Sequence, residues 1–507
     1  MAQIALEMRG ITKTFGSTVA NRNVDLTVYE GEILALLGEN GSGKTTLMNM
    51  LSGIYHPDDG DIYVYGKKAR IRGPKDAYEN RIGMVHQHFK LIDVFTAAEN
   101  VALGIEDEKF NLKETAAKVQ AIADRYGFEF RPEQKVYDMS VSQKQSLEII
   151  KQLYRGCDIL ILDEPTAVLT PQETERLFEV IRNMKADGKS IIIITHKLHE
   201  VMEISDRVAI LRKGECIAAV NTDETDQAAL TEMMVGEKIE LNIDRPHRKN
   251  RTERIRVEHL TCRNSEGLTA LSDVSFRIFG GEILGVAGIS GCGQKELLEA
   301  IAGLQKCGSG SKITYFPPEG DEISLIGKDP KQIRDMGISL SFVPEDRLGM
   351  GLVGTMGMTD NMLLKKYSKG HSAFLSKKES KDLAEEIVEE LDVQTPGLST
   401  PLRLLSGGNI QKVLVGREIS AQPSVLLTAY PVRGLDINTS YTIYDMLNEQ
   451  KENGVAVVFV GEDLDVLLAL CDRILVLCGG RVSDMVDARS VTKEEVGLLM
   501  TSVRKEA

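Results

Sequence analysis

The sequence repeats itself once over almost its whole length of 507 residues, and this duplication limits what the chain can fold into. The segment 31–34 (GEIL) recurs as 281–284 (GEIL), an offset of 250 residues. Solenoid repeats have periods of about 20 to 50 residues, so a period this long indicates two whole related domains. Three later landmarks recur at an offset of 266, which predicts about sixteen extra residues in the middle of the second copy: Ser140 and Ser406, Pro165 and Pro431, Asp206 and Asp472.

The repeat defines the expected domain organisation. We predict a first domain at residues 1–241, a polar linker at 242–254 that contains Pro246, and a second domain at 255–507. Within each copy, apolar runs typical of strands alternate with helical patterns, which indicates α/β domains with largely parallel central sheets. Ligands bind such sheets beyond the carboxyl ends of the strands, so motifs at these positions should carry the function.

The apolar runs are too short to cross a membrane. A spanning helix needs roughly 20 apolar residues, and with 42% hydrophobic and 27% charged residues the composition is that of a soluble globular protein. No basic patch followed by a long apolar segment marks the N-terminus for secretion, so we expect the chain to stay in the cytosol. The longest runs are predicted as buried strands: 33–37, 159–162, 191–194 and 455–460.

Cysteine content and charge exclude other classes of protein. The seven cysteines are odd in number and form no CxxC pair, which argues for reduced thiols and against structural zinc or a disulfide framework. The net charge of -14 does not suit a protein that grips a phosphate backbone over a broad surface. We therefore expect no nucleic acid, and so no DNA, as a partner.

A complete phosphate-binding loop, GENGSGKT at residues 38–45, follows the first of these apolar runs. Its glycines let the backbone curl so that N–H groups and a helix N-terminus face the phosphates. Lys44 supplies a positive charge, and Thr45 offers a hydroxyl to Mg²⁺. The sequence thus predicts ATP and Mg²⁺ as ligands, with these residues around the phosphates: Gly38, Asn40, Gly41, Ser42, Gly43, Lys44, Thr45 and Thr46.

An acidic pair, Asp163-Glu164, ends the apolar run 159–162. A strand that delivers two carboxylates beside a phosphate loop is typical of an ATPase. We predict that Asp163 positions Mg²⁺ and that Glu164 polarises the attacking water as a general base.

With these motifs the sequence resembles the ATP-binding-cassette (ABC) family over nearly all of its length. The resemblance implies two tandem ABC-type P-loop NTPase domains, each with a RecA-like α/β core and a helical subdomain. It implies that Phe15 stacks on adenine, that Gln87 senses Mg²⁺ and the γ-phosphate, and that His196 contacts the γ-phosphate. His86, His88 and His199 match no catalytic position of the family.

The second copy has lost the catalytic residues. Gln294 and Lys295 stand where Lys44 and Thr45 stand in the first copy. The second copy has no aromatic residue at the position of Phe15. The other exchanges remove the carboxylates and the histidine: Ala429 for Asp163, Tyr430 for Glu164, Glu345 for Gln87 and Glu462 for His196.

The family signature shows the opposite pattern. The second copy keeps it as LSGGN at residues 405–409 and keeps Asp436 in the following loop. The first copy has the poor signature MSVSQ at 139–143, and Thr170 replaces the aspartate. Because the family's domains close head to tail, the resemblance implies one complete site. That site would join the first copy's catalytic residues to Ser406, Gly407 and Gly408, while the other site at most binds nucleotide.

Within the family, the chain resembles the ATPases of bacterial nucleoside and simple-sugar importers. The stretches 153–156, 163–173 and 195–198 look closest to the nucleoside branch, which works with a basic-membrane-protein-type lipoprotein, and 343–347 is shared with the sugar branch. The resemblance implies two transmembrane permease subunits, an extracellular substrate-binding lipoprotein that acts through them, and a location on the cytoplasmic face of the cell membrane. The segments 88–100 and 346–361 are the expected permease contacts.

Three alternative functions remain. A ribose- or galactose-type sugar importer would share the same motifs. A ribosome-associated ABC protein is also a tandem, but such proteins keep both sites and have a long charged linker. A chromosome or repair ATPase would need a long coiled-coil insertion, which heptad scanning does not find.

Overall fold

The chain divides into two compact units, Met1–Glu240 and Leu241–Ala507. The computed structural model describes residues 3–16, 18–87, 89–104, 111–167, 169–236, 243–246, 251–264, 267–289, 291–342, 351–366, 376–420, 423–461 and 463–501.

The first unit is built around a six-stranded sheet with the order β10-β9-β3-β8-β7-β6. All its neighbouring strands are parallel except β10, which runs antiparallel to β9. Its central strands are buried at every position, because helices cover both faces of such a sheet. The strands are β3 (Ile33–Leu37), β6 (Ile82–Val85), β7 (Ile159–Asp163), β8 (Ser190–Ile194), β9 (Arg207–Arg212) and β10 (Glu215–Asn221).

A second, antiparallel sheet in this unit has the order β2-β1-β4-β5. Its long strands alternate buried and exposed side chains over much of their length, as expected when one face of a sheet meets the core. The strands are β1 (Ile4–Phe15), β2 (Thr18–Tyr29), β4 (Asp59–Val64) and β5 (Lys67–Ala69).

Eight α-helices complete the described part of the first unit. Three of them, α3 to α5, pack on one another and form the predicted helical subdomain. The helices are α1 (Lys44–Leu51), α2 (Pro74–Glu79), α3 (Ala97–Ala102), α4 (Leu112–Tyr126), α5 (Val141–Tyr154), α6 (Pro171–Ala186), α7 (Leu198–Ile204) and α8 (Gln227–Val235), with short 3₁₀ turns at Val136–Asp138 and Thr222–Glu224.

The second unit repeats the same two sheets. Their orders, β16-β17-β18-β13-β19-β20 and β12-β11-β14-β15, match those of the first unit strand for strand. The tandem α/β architecture predicted from the sequence is therefore confirmed. The strands are β11 (Thr252–Arg263), β12 (Thr269–Gly280), β13 (Glu282–Gly288), β14 (Lys312–Tyr315), β15 (Ile323–Ser324), β16 (Ile338–Phe342), β17 (Val425–Ala429), β18 (Ala456–Val460), β19 (Arg473–Cys478) and β20 (Arg481–Asp487).

The helices of the second unit follow the same plan, and α11, α12 and α13 form its helical group. No helix in the described ranges of either unit is long and apolar enough to cross a membrane. The helices are α9 (Gln294–Ile301), α10 (Pro330–Asp335), α11 (Met358–Lys366), α12 (Lys378–Glu390), α13 (Gly407–Ile419), α14 (Ile437–Glu452), α15 (Leu464–Leu470) and α16 (Lys493–Thr501), with a 3₁₀ turn at Leu402–Leu404.

The extra residues of the second copy are spread over several connections. The offset between the copies is still 250 at the phosphate loop, but it is already 256 at the helices that begin with Pro74 and Pro330. Part of the insertion therefore lies in the loop between β14 and β15, before the middle of the domain. Surface loops accept such additions at little energetic cost.

The predicted linker, residues 242–254, is too long at its carboxyl end. Thr252 begins β11, whose alternating pattern pairs it with β12. The described residues 243–246 also pack on the second unit, because Arg245 donates hydrogen bonds to the carbonyls of Leu468 and Cys471. Charge and one proline predicted a free linker here, but these tertiary contacts hold the segment in place.

One ion pair differs in burial between the two units. Lys451 and Asp472 are 3.0 Å apart, with side chains only 1% and 3% exposed. The equivalent pair in the first unit, Lys185 and Asp206, is 36% and 40% exposed. In both units the aspartate also accepts a hydrogen bond from the backbone N–H of the central strand, so it fixes the position of that strand.

We expect Lys451→Met to destabilise the second unit strongly, since it leaves Asp472 buried without its countercharge. The expected loss in free energy of unfolding is about 3–5 kcal/mol, as for other broken buried pairs. The matched change Lys185→Met should cost about 1 kcal/mol or less, because that pair is exposed to solvent. Urea unfolding followed by circular dichroism measures both, and equal losses would contradict this account.

Candidate functional site

The order of the central sheet brings the predicted site residues of the first unit to one edge. Strands β3, β8, β7 and β6 are parallel neighbours, so their carboxyl ends lie side by side. The phosphate loop follows β3, His196 follows β8, Asp163-Glu164 ends β7 and Gln87 follows β6. Residues far apart in sequence therefore meet beside the N-terminus of α1.

The phosphate loop requires glycine at two close approaches. Gly38 has a φ of 154°, and a Cβ built there would lie 2.2 Å from the carbonyl oxygen of Leu211. Gly43 has a φ of 98°, and its Cβ would lie 2.4 Å from the carbonyl oxygen of Ala20. Any larger residue would push the loop away from β9 or β2, so these glycines fix the loop against the sheets.

Lys44 is buried at the first position of α1, inside the curl of the loop. Its Nζ donates to the carbonyl oxygens of Gly38 at 2.6 Å and Glu39 at 2.9 Å. Burial lowers the pKa of Lys44, although the nearby carboxylates of Glu164 and Asp163 act in the opposite direction. The ammonium group is thus held within the loop, where it can be offered to phosphate oxygens.

The loop and the acidic strand end fit a magnesium nucleotide. Ser42 Oγ is buried and has no hydrogen-bond partner among the described residues, so it remains available to a ligand. Burial and the neighbouring Glu164 raise the pKa of Asp163 to about 6. A bound cation would stabilise the ionised carboxylate and so lower this pKa. In the described ranges no group of three or more His, Cys, Asp or Glu side chains could hold a metal ion.

Glu164 and His196 form a hydrogen-bonded pair at the end of β7 and β8. His196 Nδ1 lies 2.8 Å from Glu164 Oε1. Burial alone would raise the pKa of Glu164, but the hydrogen bond from His196 and the positive charges nearby lower it overall. Burial by itself would lower the pKa of His196. The hydrogen bond and the negative charge of Glu164 outweigh this effect, so the pKa of His196 is raised. The ionised form of Glu164 is therefore favoured.

The backbone at Glu164 is in the left-handed region, with a φ of 48°, and its N–H donates to the carbonyl of Ile194. Tyr430, the equivalent residue of the second unit, has a φ of 54° and donates to Val460 in the same way. The left-handed conformation at the end of this strand is thus a property of the fold. The second unit keeps it without the carboxylate.

The remaining predicted residues of the first unit lie around this edge with different exposure. Phe15 is 44% exposed at the end of β1, and Gln87 is exposed just after β6. Thr45 is exposed and Thr46 half-buried in the first turn of α1, and Asn40 and Gly41 are exposed in the loop.

In the described part of the second phosphate loop, Gln294 makes hydrogen bonds like those of Lys44, a replacement that sequence reasoning missed. Gln294 Nε2 donates to the carbonyl oxygens of Gly288 at 2.7 Å and Ile289 at 3.2 Å. These are the equivalents of the two carbonyls that Lys44 binds. The amide thus replaces the lysine as a brace for the loop but brings no charge for phosphate.

The two signature segments differ at the start of a helix. Ser406 caps α13, and its Oγ accepts from the backbone N–H and the side-chain amide of Asn409, so its own hydroxyl hydrogen can still be donated. A Cβ built on Gly408 would meet no atom within 4 Å. In the first unit Ser140 caps α5, and its Oγ lies 3.1 Å from Ser142 Oγ, so the cap hydroxyl is bonded to a residue that replaces the glycine.

Asp436, predicted as a nucleotide contact, caps α14. It accepts from the backbone N–H of Thr439 at 2.8 Å and from its hydroxyl at 2.9 Å. Thr170 caps the equivalent helix α6 with a capping box to Glu173. A threonine at position 170 therefore preserves the helix start even though the carboxylate is gone. The cap pattern in the sequence, Thr or Asp three residues before Glu or Thr, could have revealed this role.

Two predicted replacements, Glu345 and Glu462, lie outside the described residues, as do His88 and residues 346–350 of the two predicted permease contacts.

Comparison with known proteins agrees with this geometry. The sequence model of the ABC transporter family matches residues 21–167 and 271–431, one stretch in each copy. The chain therefore belongs to the ABC transporter family, as a tandem of two ATP-binding cassettes. It is an ABC-type transport ATPase that binds ATP.

The relatives are import ATPases of matching length. The chain is 43% identical to the guanosine import ATP-binding protein NupO of Bacillus subtilis, over 100% of this chain and 99% of NupO. It is 40% identical to the nucleoside import ATP-binding protein NupA of Lactococcus lactis, over 98% of each chain. A ribose import ATP-binding protein of Rubrobacter xylanophilus, RbsA 1, is 37% identical over 98% of each chain.

The Glu164–His196 pair predicts a pKa change that can be measured. In a Glu164→Gln variant the pKa of His196 should fall toward its ordinary value of about 6.5, because the carboxylate that raises it is gone. Because the Glu164–His196 pair raises the pKa of His196, it stabilises the folded state at pH values below the ordinary histidine pKa of about 6.5. This contribution is lost as the pH rises through the raised pKa.

Histidine NMR titration of the full chain reports this pKa, with the exposed Glu175→Gln as a control variant. An unchanged pKa of His196 in Glu164→Gln would show that the two side chains are not paired.

Proposed function

We propose that the chain is the ATPase of a nucleoside importer with one competent composite site. Lys44, Asp163, Glu164 and His196 of the first unit supply the catalytic groups, and Ser406 to Gly408 of the second unit supply the signature. The observation that carries this proposal is the complementary pattern of loss. The first unit keeps the catalytic residues but has a poor signature. The second unit keeps the signature but has lost the catalytic residues.

The residues of this site divide the reaction between them. The N–H groups of the loop and Lys44 bind the phosphates, and the N-terminus of α13, capped by Ser406, adds hydrogen bonds to the γ-phosphate from the other side. Glu164, held ionised by His196, accepts a proton from the attacking water and orients it in line with the γ-phosphate. Thr45, Asp163 and Gln87 would hold Mg²⁺, which neutralises charge on the phosphates. The Phe15 ring provides a surface for adenine.

The second site would use the neutral Gln294, the Ala429-Tyr430 pair and the first unit's signature. It has no general base at position 430 and no positive charge at 294. We propose that this site does not hydrolyse ATP and at most binds nucleotide.

Two permease subunits are the proposed partners, and a substrate-binding lipoprotein would act through them. Supporting this, each unit exposes apolar side chains at equivalent positions, which marks interaction surfaces. Ile54 and Leu304 are 43% and 58% exposed after the first helix of each unit, and Ile92 and Val353 are 42% and 38% exposed before the third. We place the ATPase on the cytoplasmic face of the membrane.

The nucleoside substrate rests on the relatives alone. The two most similar relatives described above are named for guanosine and nucleoside import, and the ribose importer is less similar. A simple sugar is the alternative substrate, and growth or uptake tests with both classes would separate them. A ribosome-associated role is disfavoured, because the relatives described above are named as import ATPases.

The composite site predicts opposite effects for two exchanged signature residues. Gly408→Ser copies the first unit's Ser142 into the second signature, and it should lower the ATPase rate of the complete transporter about 100-fold or more. The matched reverse change, Ser142→Gly, should leave the rate unchanged, since that signature faces the site without a general base. The steady-state ATPase rate measures both, and an equal loss in the two variants would contradict the composite site.

The proposed permease surface predicts a loss of assembly without a loss of folding. Ile92→Ser and Val353→Ser each remove an exposed apolar side chain, so the double variant should co-purify with far less permease than the unchanged chain. Ile217→Ser, at a residue 41% exposed on β10, is the control and should assemble normally. If the double variant co-purifies with permease as well as the control does, these residues are not the contact.

A further inference from the structure

The proposed adenine surface at Phe15 is held by two contacts to its ring. Tyr55, in the loop after α1, meets the ring edge-on with centroids 5.1 Å apart. The ammonium of Lys13 lies 5.5 Å from the centroid of the same ring. Phe15 is nevertheless 44% exposed, at the last residue of β1.

Asp58 binds the two residues that precede this ring. Its Oδ2 accepts from the backbone N–H of Thr14 at 2.7 Å and from the hydroxyl of Thr14 at 2.8 Å. Its Oδ1 accepts from Lys13 Nζ at 2.8 Å. The backbone N–H of Asp58 in turn donates to the carbonyl of Thr12, so the end of β1 is joined to the loop after α1 at four points.

The carboxylate is matched to these donors. The bonds from Lys13 and Thr14 lower the pKa of Asp58 to about 2, so it is ionised at any physiological pH. The neighbouring carboxylate, Asp59 at the start of β4, accepts instead from the backbone N–H of Gly60.

The second unit provides an internal comparison. Gly308, the equivalent of Asp58, still donates its N–H to the carbonyl of Thr261, so the backbone connection is unchanged. The side chains of the group are all different. Cys262, Arg263, Asn264 and Gln305 stand in place of Lys13, Thr14, Phe15 and Tyr55. The carboxylate is therefore not needed to build the loop, and it is absent from the unit that has no aromatic ring to position.

We propose that Asp58 is a positioning residue for nucleotide binding, which fixes the Phe15 ring through Lys13 and Thr14 for stacking on the purine base. This inference rests on the proposed role of Phe15. A ring that is already oriented loses less conformational freedom when the base binds, so the anchor increases affinity without touching the nucleotide. Asp58 affects the stacking of the base through the Phe15 ring. Its removal leaves the groups that bind the phosphates and the proposed catalytic groups in place.

The test is a double-mutant cycle on the full chain with ADP, which no variant can hydrolyse further at this site. Phe15→Ala should weaken ADP binding about tenfold or more, as stacking on an aromatic ring is lost. Asp58→Ala should weaken it about three- to tenfold, the worth of one oriented aromatic contact. In the Phe15→Ala background, Asp58→Ala should change nothing further. Calorimetric titration gives the four dissociation constants.

The controls separate the possible outcomes. Asp59→Ala should bind ADP like the unchanged chain, and the unfolding temperature without nucleotide should show that all variants stay folded at the temperature of the titration. Asp58→Asn, which keeps the size and one acceptor oxygen, provides a second variant if Asp58→Ala folds poorly. Its dissociation constant for ADP should lie between those of the unchanged chain and Asp58→Ala. If Phe15→Ala binds ADP normally, the proposed adenine surface fails. If Phe15→Ala weakens binding but Asp58→Ala has no effect, or has its full effect in both backgrounds, the positioning role is overturned.

Discussion

The parallel pairing of β3 with β8 and of β8 with β7 is the constraint on which the first unit's chemistry depends. It places the phosphate loop, His196 and Glu164 at adjacent strand ends, although more than a hundred residues of sequence separate the loop from the other two. The 2.8 Å bond between His196 and Glu164 follows from this pairing, because Glu164 comes directly after β7 and His196 lies two residues beyond the end of β8. The bond in turn keeps the buried carboxylate ionised beside Lys44.

The second unit shows which of these features belong to the fold and which to the reaction. It keeps the strand order, the left-handed residue at Tyr430 and a side chain that braces the phosphate loop at Gln294. It lacks the ammonium group, the carboxylates and the anchored aromatic ring. A neutral amide satisfies the loop carbonyls as well as an ammonium does, so the fold tolerates the loss of chemistry at little structural cost. The signature helix α13 keeps its cap and its open glycine.

The sequence predicted those parts whose signal is local. The buried strands β3, β7, β8 and β18 appear as uninterrupted apolar runs and were found correctly. The phosphate loop has a fixed spacing, so it could be located in the sequence. The brace at Gln294, the anchor at Asp58 and the packing of Arg245 on α15 were not predicted. Each depends on a backbone carbonyl or N–H that another element brings close, and residue type carries no record of such a neighbour. Asp436 was predicted from a motif as a nucleotide contact. The structure shows that it also caps α14.

The central claim is that Glu164 is the general base of the one competent site. The most direct test is the steady-state ATPase rate of the assembled transporter with Glu164→Gln, beside the matched change Tyr430→Gln in the second unit. The account predicts that Glu164→Gln reduces hydrolysis to background, since glutamine cannot accept the proton of the attacking water, and that Tyr430→Gln leaves the rate unchanged. A Glu164→Gln transporter that hydrolyses ATP at close to the original rate would contradict it.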